Sequence, residues 1–217
     1  MDPTTPLERE SITGLVLAGG RGVRMGGVDK GLQPWHGRPM VDHVLERLAP
    51  QVGAVVISAN RSLDDYALRG TPVVQDAETP FNGPLAGILA GLRACTSDWL
   101  AIVPCDAPRL PRDLVARLST RAMALAVPGV YAVHHESDGD RMLRRAEPLF
   151  CLLRADAATR DSLAATLAAG ERRVERWLGA LGAQPCDFDA PQDTGAFANF
   201  TRLEDLGQSR SGDTRPA

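Results

Sequence analysis

Short apolar runs alternate with amphipathic stretches along this chain, and that alternation restricts the possible folds more than any single residue does. Ile12 to Leu17, Ala54 to Ser58, Thr71 to Val74 and Trp99 to Val103 are apolar or β-branched and read as buried strands. Between the first two, Val41, Val44, Leu45 and Leu48 keep the i, i+3, i+4, i+7 spacing of one helical stripe, and Pro50 marks its end. Leu85, Ile88, Leu89 and Leu92 repeat the spacing before the fourth run, with Pro84 at a first helical position. Strands that alternate with helices imply a mainly parallel sheet, right-handed crossovers and helices on both faces.

The second half is expected to add a helix at Leu114 to Leu118 and strands at Ala124 to Val133 and Pro148 to Leu153, separated by an exposed polar loop from Glu136 to Arg145. A helix from Asp156 to Ala169, another at Val174 to Leu181 and a last strand at Ala183 to Phe188 complete the outline. The expected architecture is α/β, a single Rossmann-like three-layer domain over 12–206. Residues 1–11 are expected to form a loose N-terminal tail and 207–217, with little to bury, a disordered C-terminal tail.

Composition narrows the function classes. At 217 residues and 44% hydrophobic, the chain can bury one sizeable core. A net charge of -3 gives no bulk attraction to nucleic acid or to an anionic membrane, and no apolar run reaches the ~20 residues of a membrane helix. A nucleic-acid or membrane partner is therefore not expected, and the cytoplasm is the expected location. Cys95, Cys105, Cys151 and Cys186 are widely spaced and read as reduced buried thiols, while His134 and His135, as neighbours in an extended chain, make poor metal ligands.

In an open parallel sheet, ligands bind beyond the carboxyl ends of the strands. The first strand runs into a segment with five glycines between Gly19 and Gly27, where backbone amides can approach phosphate oxygens, and Arg24 and Lys30 add charge. Neither phosphate fingerprint fits: Lys30 follows Asp29 rather than Gly, and Met25 stands where the dinucleotide motif needs Gly. The second strand runs into Asn60, the third into Asp76 and the fourth into Asp106, a carboxylate placed to hold Mg²⁺ together with substrate phosphates. Asn60 and Asp76 can hydrogen-bond a base or ribose, although both types also favour plain turns. Asn82 to Gly87 opens the second helix with small residues that suit either a close nucleotide or simple packing.

Leu17-Ala-Gly-Gly, Arg24-Met-Gly-Gly-Val-Asp-Lys30, Ala59-Asn60-Arg61, Gly83-Pro-Leu-Ala-Gly87, Pro104-Cys-Asp106-Ala-Pro108, Ala169-Gly-Glu-Arg-Arg-Val174 and Ala198-Asn199-Phe200 occur in the order found in the molybdenum cofactor guanylyltransferases, which the chain resembles from Ile12 to Leu206. The resemblance implies a fold like that of the nucleotide-diphosphosugar transferases, and transfer of GMP from GTP to molybdopterin carrying molybdenum, with release of pyrophosphate and Mg²⁺ as cofactor. It assigns Leu17, Ala18, Gly19, Gly20, Lys30, Asn60, Asp76, Gly83 and Asp106 to the nucleotide, with Lys30, Arg24 and Asp106 acting in the transfer and Asp106 also binding the metal. Asn199 falls at the acceptor, although Thr201 stands where a second Asn is usual. Gly19-Gly20, where cytidylyl relatives tend to carry Ala-Gly, favours guanine; a cytidylyl or sugar-phosphate nucleotidyltransferase and a GTP-binding module are the rival readings. The resemblance also implies cofactor insertion and chaperone proteins as partners of a monomer.

Overall fold

The computed structural model describes residues 6–18, 20, 28–76, 83–139 and 141–198. In chain order it contains β1 (Ile12–Leu17), β2 (Pro34–Trp35), β3 (Arg38–Pro39), α1 (Met40–Leu48), β4 (Ala54–Ser58), α2 (Leu63–Ala67), β5 (Val73–Val74), α3 (Pro84–Ala94), β6 (Trp99–Pro104), α4 (Leu114–Leu125), β7 (Gly129–Asp138), β8 (Arg141–Arg154), α5 (Ala157–Ala168), α6 (Val174–Leu181) and β9 (Gln184–Asp187). Seven strands form one sheet in the order β5-β4-β1-β6-β8-β7-β9. β8 runs antiparallel to both neighbours, and the other pairings in this sheet are parallel. The expected mainly parallel α/β sheet is therefore observed.

The central strands β1 and β6 bury both faces, as their apolar runs demand. On one face Val16, Trp99, Ala101 and Val103 pack with Val41, Val44 and Leu48 of α1 and Leu114, Val115 and Leu118 of α4. On the other, Leu15, Leu100 and Ile102 pack with Leu85, Ile88 and Leu92 of α3, Leu163 of α5 and Trp177 of α6. Alternate residues of one strand thus feed two cores, the period-two geometry of a pleated chain. α3 approaches closely because it presents glycine: a Cβ on Gly91 would lie 2.4 Å from Leu15 Cδ2, and one on Gly87 2.8 Å from Ser58 Oγ.

Four local expectations need correction. Ala124 and Leu125 close α4, and the strand expected from Ala124 begins only at Gly129. The expected loop from Glu136 to Arg145 is instead the distal half of the β7–β8 hairpin, paired down to Asp138 and Arg141; its polar side chains reflect solvent on an edge ribbon, not loss of pairing. The third strand shortens from Thr71–Val74 to Val73–Val74. Finally, the tail expected over 1–11 is docked at its end: residues 9–11 form a 3-10 turn, Leu7 packs against the core, and its N–H donates to Ser119 Oγ at 3.3 Å. The segment 207–217 lies outside the described residues.

Candidate active site

The parallel strands end flush. Leu17 pairs with both Ser58 and Pro104, and Ser58 pairs with Val74. The ladder continues one residue further, since Ala18 N–H donates to Ser58 O at 2.7 Å, Ala59 N–H to Val74 O at 3.0 Å and Cys105 N–H to Leu17 O at 3.1 Å. Ala18, Asn60, Asp76 and Asp106 therefore leave the sheet at one carboxyl edge. Each directly follows a strand of the sheet or its ladder, which is how a sheet positions chemistry at its rim.

At that edge Lys30 Nζ reaches Asp106 Oδ2 at 3.2 Å across a separation of 76 residues. The side chains keep 24% and 13% of their surface, so the pair is shielded yet open to a ligand. Lys30 arrives on a braced turn. Tyr66 from α2 donates to Asp29 Oδ1 at 2.6 Å, Arg61 approaches Asp29 Oδ2 at 3.5 Å and donates to Val28 O, and Gln33 N–H donates to Lys30 O. Gly31 completes the brace, because a Cβ there would fall 2.5 Å from the Tyr66 hydroxyl. Burial first, then the neighbouring Cys105, drives the Tyr66 phenol far above its ordinary range, so it remains a donor. Burial likewise keeps the Cys105 thiol neutral beside Asp106.

Asn60 and Asp76 form a second pair. Asn60 Nδ2 donates to Asp76 Oδ2 at 2.7 Å, and Asp76 N–H donates to Asn60 Oδ1 at 3.0 Å. Asp76 Oδ1 is buried with no hydrogen-bond partner among the described residues, and burial raises its carboxyl above the ordinary value despite the Asn60 bond. A buried acceptor left unsatisfied costs free energy, and a ligand donor would remove that cost. Gly83 caps α3 at φ +84, with no heavy atom within 4 Å of a Cβ built there, so the approach to the helix start is open.

The structure thus joins Lys30 to Asp106 and Asn60 to Asp76, with Leu17, Ala18 and Gly83 at the same edge. Gly20 is described, with nothing within 4 Å of a Cβ; Gly19, Arg24 and Asn199 lie outside the described residues. Sequence reasoning missed the brace of Asp29, Arg61 and Tyr66, whose signal was only the Asp preceding Lys30. The Glu171 carboxylate, held to about 2 by the Arg173 and Arg172 amides, gathers Arg172, Arg173 and Arg176 at the start of α6.

Among the described residues no group of three or more His, Cys, Asp or Glu side chains could hold a metal ion. At the edge Asp76 is held by Asn60 and Asp29 by Tyr66 and Arg61, while the Asp106 carboxylate faces one cation in Lys30. One carboxylate fits Mg²⁺ shared with substrate phosphates, which keeps most of its coordination outside the protein, and does not fit a closed protein cage.

Residues 14–185 match the family described as the MobA-like NTP transferase domain. The molybdenum cofactor guanylyltransferase of Cupriavidus necator is 47% identical over 200 residues, covering 92% of this chain and 96% of its own. Among solved structures, the molybdopterin-guanine dinucleotide biosynthesis protein A of Archaeoglobus fulgidus superposes with a TM-score of 0.67 at 20% identity, covering 91% of this chain and 96% of the other. The 4-diphosphocytidyl-2C-methyl-D-erythritol synthase of Anaerococcus prevotii gives 0.69 at 12% identity, covering 92% and 94%. The two structures share the fold, and the sequence kinship goes further: this chain belongs to the MobA-like NTP transferases, among the molybdenum cofactor guanylyltransferases, and is a nucleotidyltransferase.

Proposed function

We propose that this protein transfers GMP from GTP to molybdopterin carrying molybdenum, forming the guanine dinucleotide and releasing pyrophosphate in an Mg²⁺-dependent step. The observation that carries the proposal is the meeting of Lys30 and Asp106 at 3.2 Å on the carboxyl edge of β1 and β6. A phosphate oxygen of the acceptor attacks the α-phosphorus of GTP. The new O–P bond forms as the bond from the α-phosphorus to the bridging oxygen breaks, and the electron pair leaves with pyrophosphate.

That nucleophile is already anionic near neutral pH, so no strong general base is needed and the protein's task is electrostatic. Lys30 and Arg24 offset charge on the α-phosphate and the leaving group. Asp76 Oδ1, the unsatisfied acceptor, takes a donor of the nucleotide, with Asn60 fixing its orientation. Asp106 would hold Mg²⁺, which would supply positive charge to offset that of the phosphates. Ala18, Gly19, Gly20 and Gly83 allow the triphosphate close to backbone, and Asn199 serves the acceptor.

In the same reading the enzyme acts as a cytoplasmic monomer that hands its product to insertion and chaperone proteins. No helix among the described residues is long and apolar enough to cross a membrane. The roles of Asp106 and Lys30 are tested together. Asp106→Ala is expected to abolish Mg²⁺-dependent pyrophosphate release, and Lys30→Ala to lower kcat by about 100-fold, the scale of losing one donor aimed at transition-state charge. Both variants are expected to unfold near the wild-type temperature. Near-normal turnover in Asp106→Ala would remove the metal assignment.

A further inference from the structure

Lys30 is the single lysine among the 24 lysine and arginine residues of the chain, all others being arginine. An ammonium on a flexible four-carbon stem has no planar fork to orient it, so its direction must come from what surrounds it. Two carboxylates are candidates for it: Asp106, 76 residues away, and Asp29, the residue before it. The ammonium pairs with Asp106 at 3.2 Å and, among the described residues, not with Asp29. That choice needs a cause, because the Asp29 side chain is only 8% exposed and a shielded carboxylate attracts a nearby cation strongly.

The cause lies in α2 and the loop before it. Tyr66 donates to Asp29 Oδ1 at 2.6 Å, and Arg61 Nε stands 3.5 Å from Oδ2. Arg61 also donates to Val28 O at 2.6 Å, so the backbone before Asp29 is tied down together with its carboxylate. Tyr66 has no room to give way. It is fully buried, the Arg69 guanidinium lies over its ring at 5.8 Å, and Arg69 Nε donates to Asp42 of α1 at 2.7 Å. Val41 N–H of that helix donates to Gly31 O at 2.9 Å, which fixes the phenol and the Lys30 turn to one helix. The hydroxyl also stands where the two halves of the ion pair meet. A Cβ on Gly31, which follows Lys30, would fall 2.5 Å from the hydroxyl and 3.1 Å from the sulfur of Cys105, which precedes Asp106.

Apolar side chains in place of Tyr66, Asp29 and Arg61 would pack without desolvating a carboxylate, so stability alone does not account for the cluster. Resting on the phosphate role of Lys30 given above, we propose that Tyr66 is a positioning residue for the transfer: its hydroxyl occupies the Asp29 carboxylate, and Lys30 is thereby left to face Asp106 and the nucleotide phosphates. Arg61 shares the task at the other carboxylate oxygen. It directly follows Asn60, so the Asn60–Asp76 pair and the turn that aims Lys30 hang on adjacent residues of one loop. Without the hydroxyl, Asp29 Oδ1 would be left buried and unsatisfied, and the ammonium one residue on is the cation that would satisfy it. A lysine so captured no longer offsets charge on the α-phosphate.

The single lysine serves as its own probe. The full chain as wild type, Tyr66→Phe and Tyr66→Phe/Asp29→Asn, each carrying lysine labelled with ¹³C at Cε, is compared by NMR before and after saturating GTP and Mg²⁺, and then for kcat and KM with molybdopterin. Wild type is expected to show one Lys30 signal that moves when GTP is added. In Tyr66→Phe that movement is largely lost and kcat falls about tenfold, with KM for GTP nearly unchanged. Adding Asp29→Asn removes the competing charge and is expected to restore the movement and part of kcat, which a packing defect would not regain. A Lys30 signal that moves with GTP in Tyr66→Phe as it does in wild type overturns the proposal, and so does a loss that Asp29→Asn fails to restore. A wild-type signal that ignores GTP removes the phosphate role of Lys30 and the proposal with it. Tyr66-dependent movement in a protein inactive toward molybdopterin upholds the positioning and removes the acceptor reading alone. Should Tyr66→Phe fail to fold, Arg61→Ala, which removes the second partner of Asp29, carries the same comparison with and without Asp29→Asn.

Discussion

Asp76 exposes a conflict between stability and binding at a single carboxyl group. Its Oδ1 is buried without a partner among the described residues, and burial raises its carboxyl above the ordinary carboxylate value. A group whose folded value exceeds its unfolded value stabilises the fold at low pH and loses that contribution as pH rises through the folded value. Asp76→Asn keeps an oxygen for Asn60 and removes the buried charge. The variant is therefore expected to be as stable as wild type at pH 4 and at least as stable at pH 7, while its KM for GTP rises about tenfold, because an NH₂ replaces the acceptor. Urea unfolding at the two pH values, with KM measured alongside, checks both halves. At this scale Lys30, Asn60, Asp76 and Asp106 were legible in the sequence, because each ends or follows a recognisable strand. The Tyr66–Asp29 bond was not, since it joins residues 37 apart through a short helix with no apolar period of its own.

The elements carry the site by being pinned to the sheet at defined points, and α3 is pinned by its glycines. An alanine at Gly91 places its Cβ 2.4 Å from Leu15 Cδ2, inside a side chain with no exposed surface and no room to withdraw. Alanine raises helix propensity by about 1 kcal/mol, but overpacking of this kind costs about 1–3 kcal/mol, so the clash is expected to prevail. Gly91→Ala should then lower the melting temperature by a few degrees and displace the open helix start at Gly83. Thermal unfolding reads the first effect, and an unchanged or raised midpoint would contradict the packing argument. β1, β4 and α6 were readable to the residue from apolar runs and helical period. The distal β7–β8 hairpin was not read, because the only apolar residues from Glu136 to Arg145 are the neighbours Met142 and Leu143, which make no period-two pattern. Its one local signal was Asp138-Gly139, a turn-forming pair, and Gly139 does take φ +61.

Across the whole molecule, alternating elements made a parallel sheet legible, and the parallel sheet told where chemistry must lie. What alternation could not reveal is that β8 inserts antiparallel between β6 and β7. That insertion carries the β7–β8 hairpin past the carboxyl end of β6. The most direct measurement supplies Mg²⁺ and molybdopterin to the purified protein, adds GTP, CTP or ATP in separate reactions, and follows pyrophosphate together with the dinucleotide. The account predicts pyrophosphate and the guanine dinucleotide in equal amounts with GTP and neither product with CTP or ATP. Turnover with CTP in place of GTP, or no product with any of the three, would contradict it.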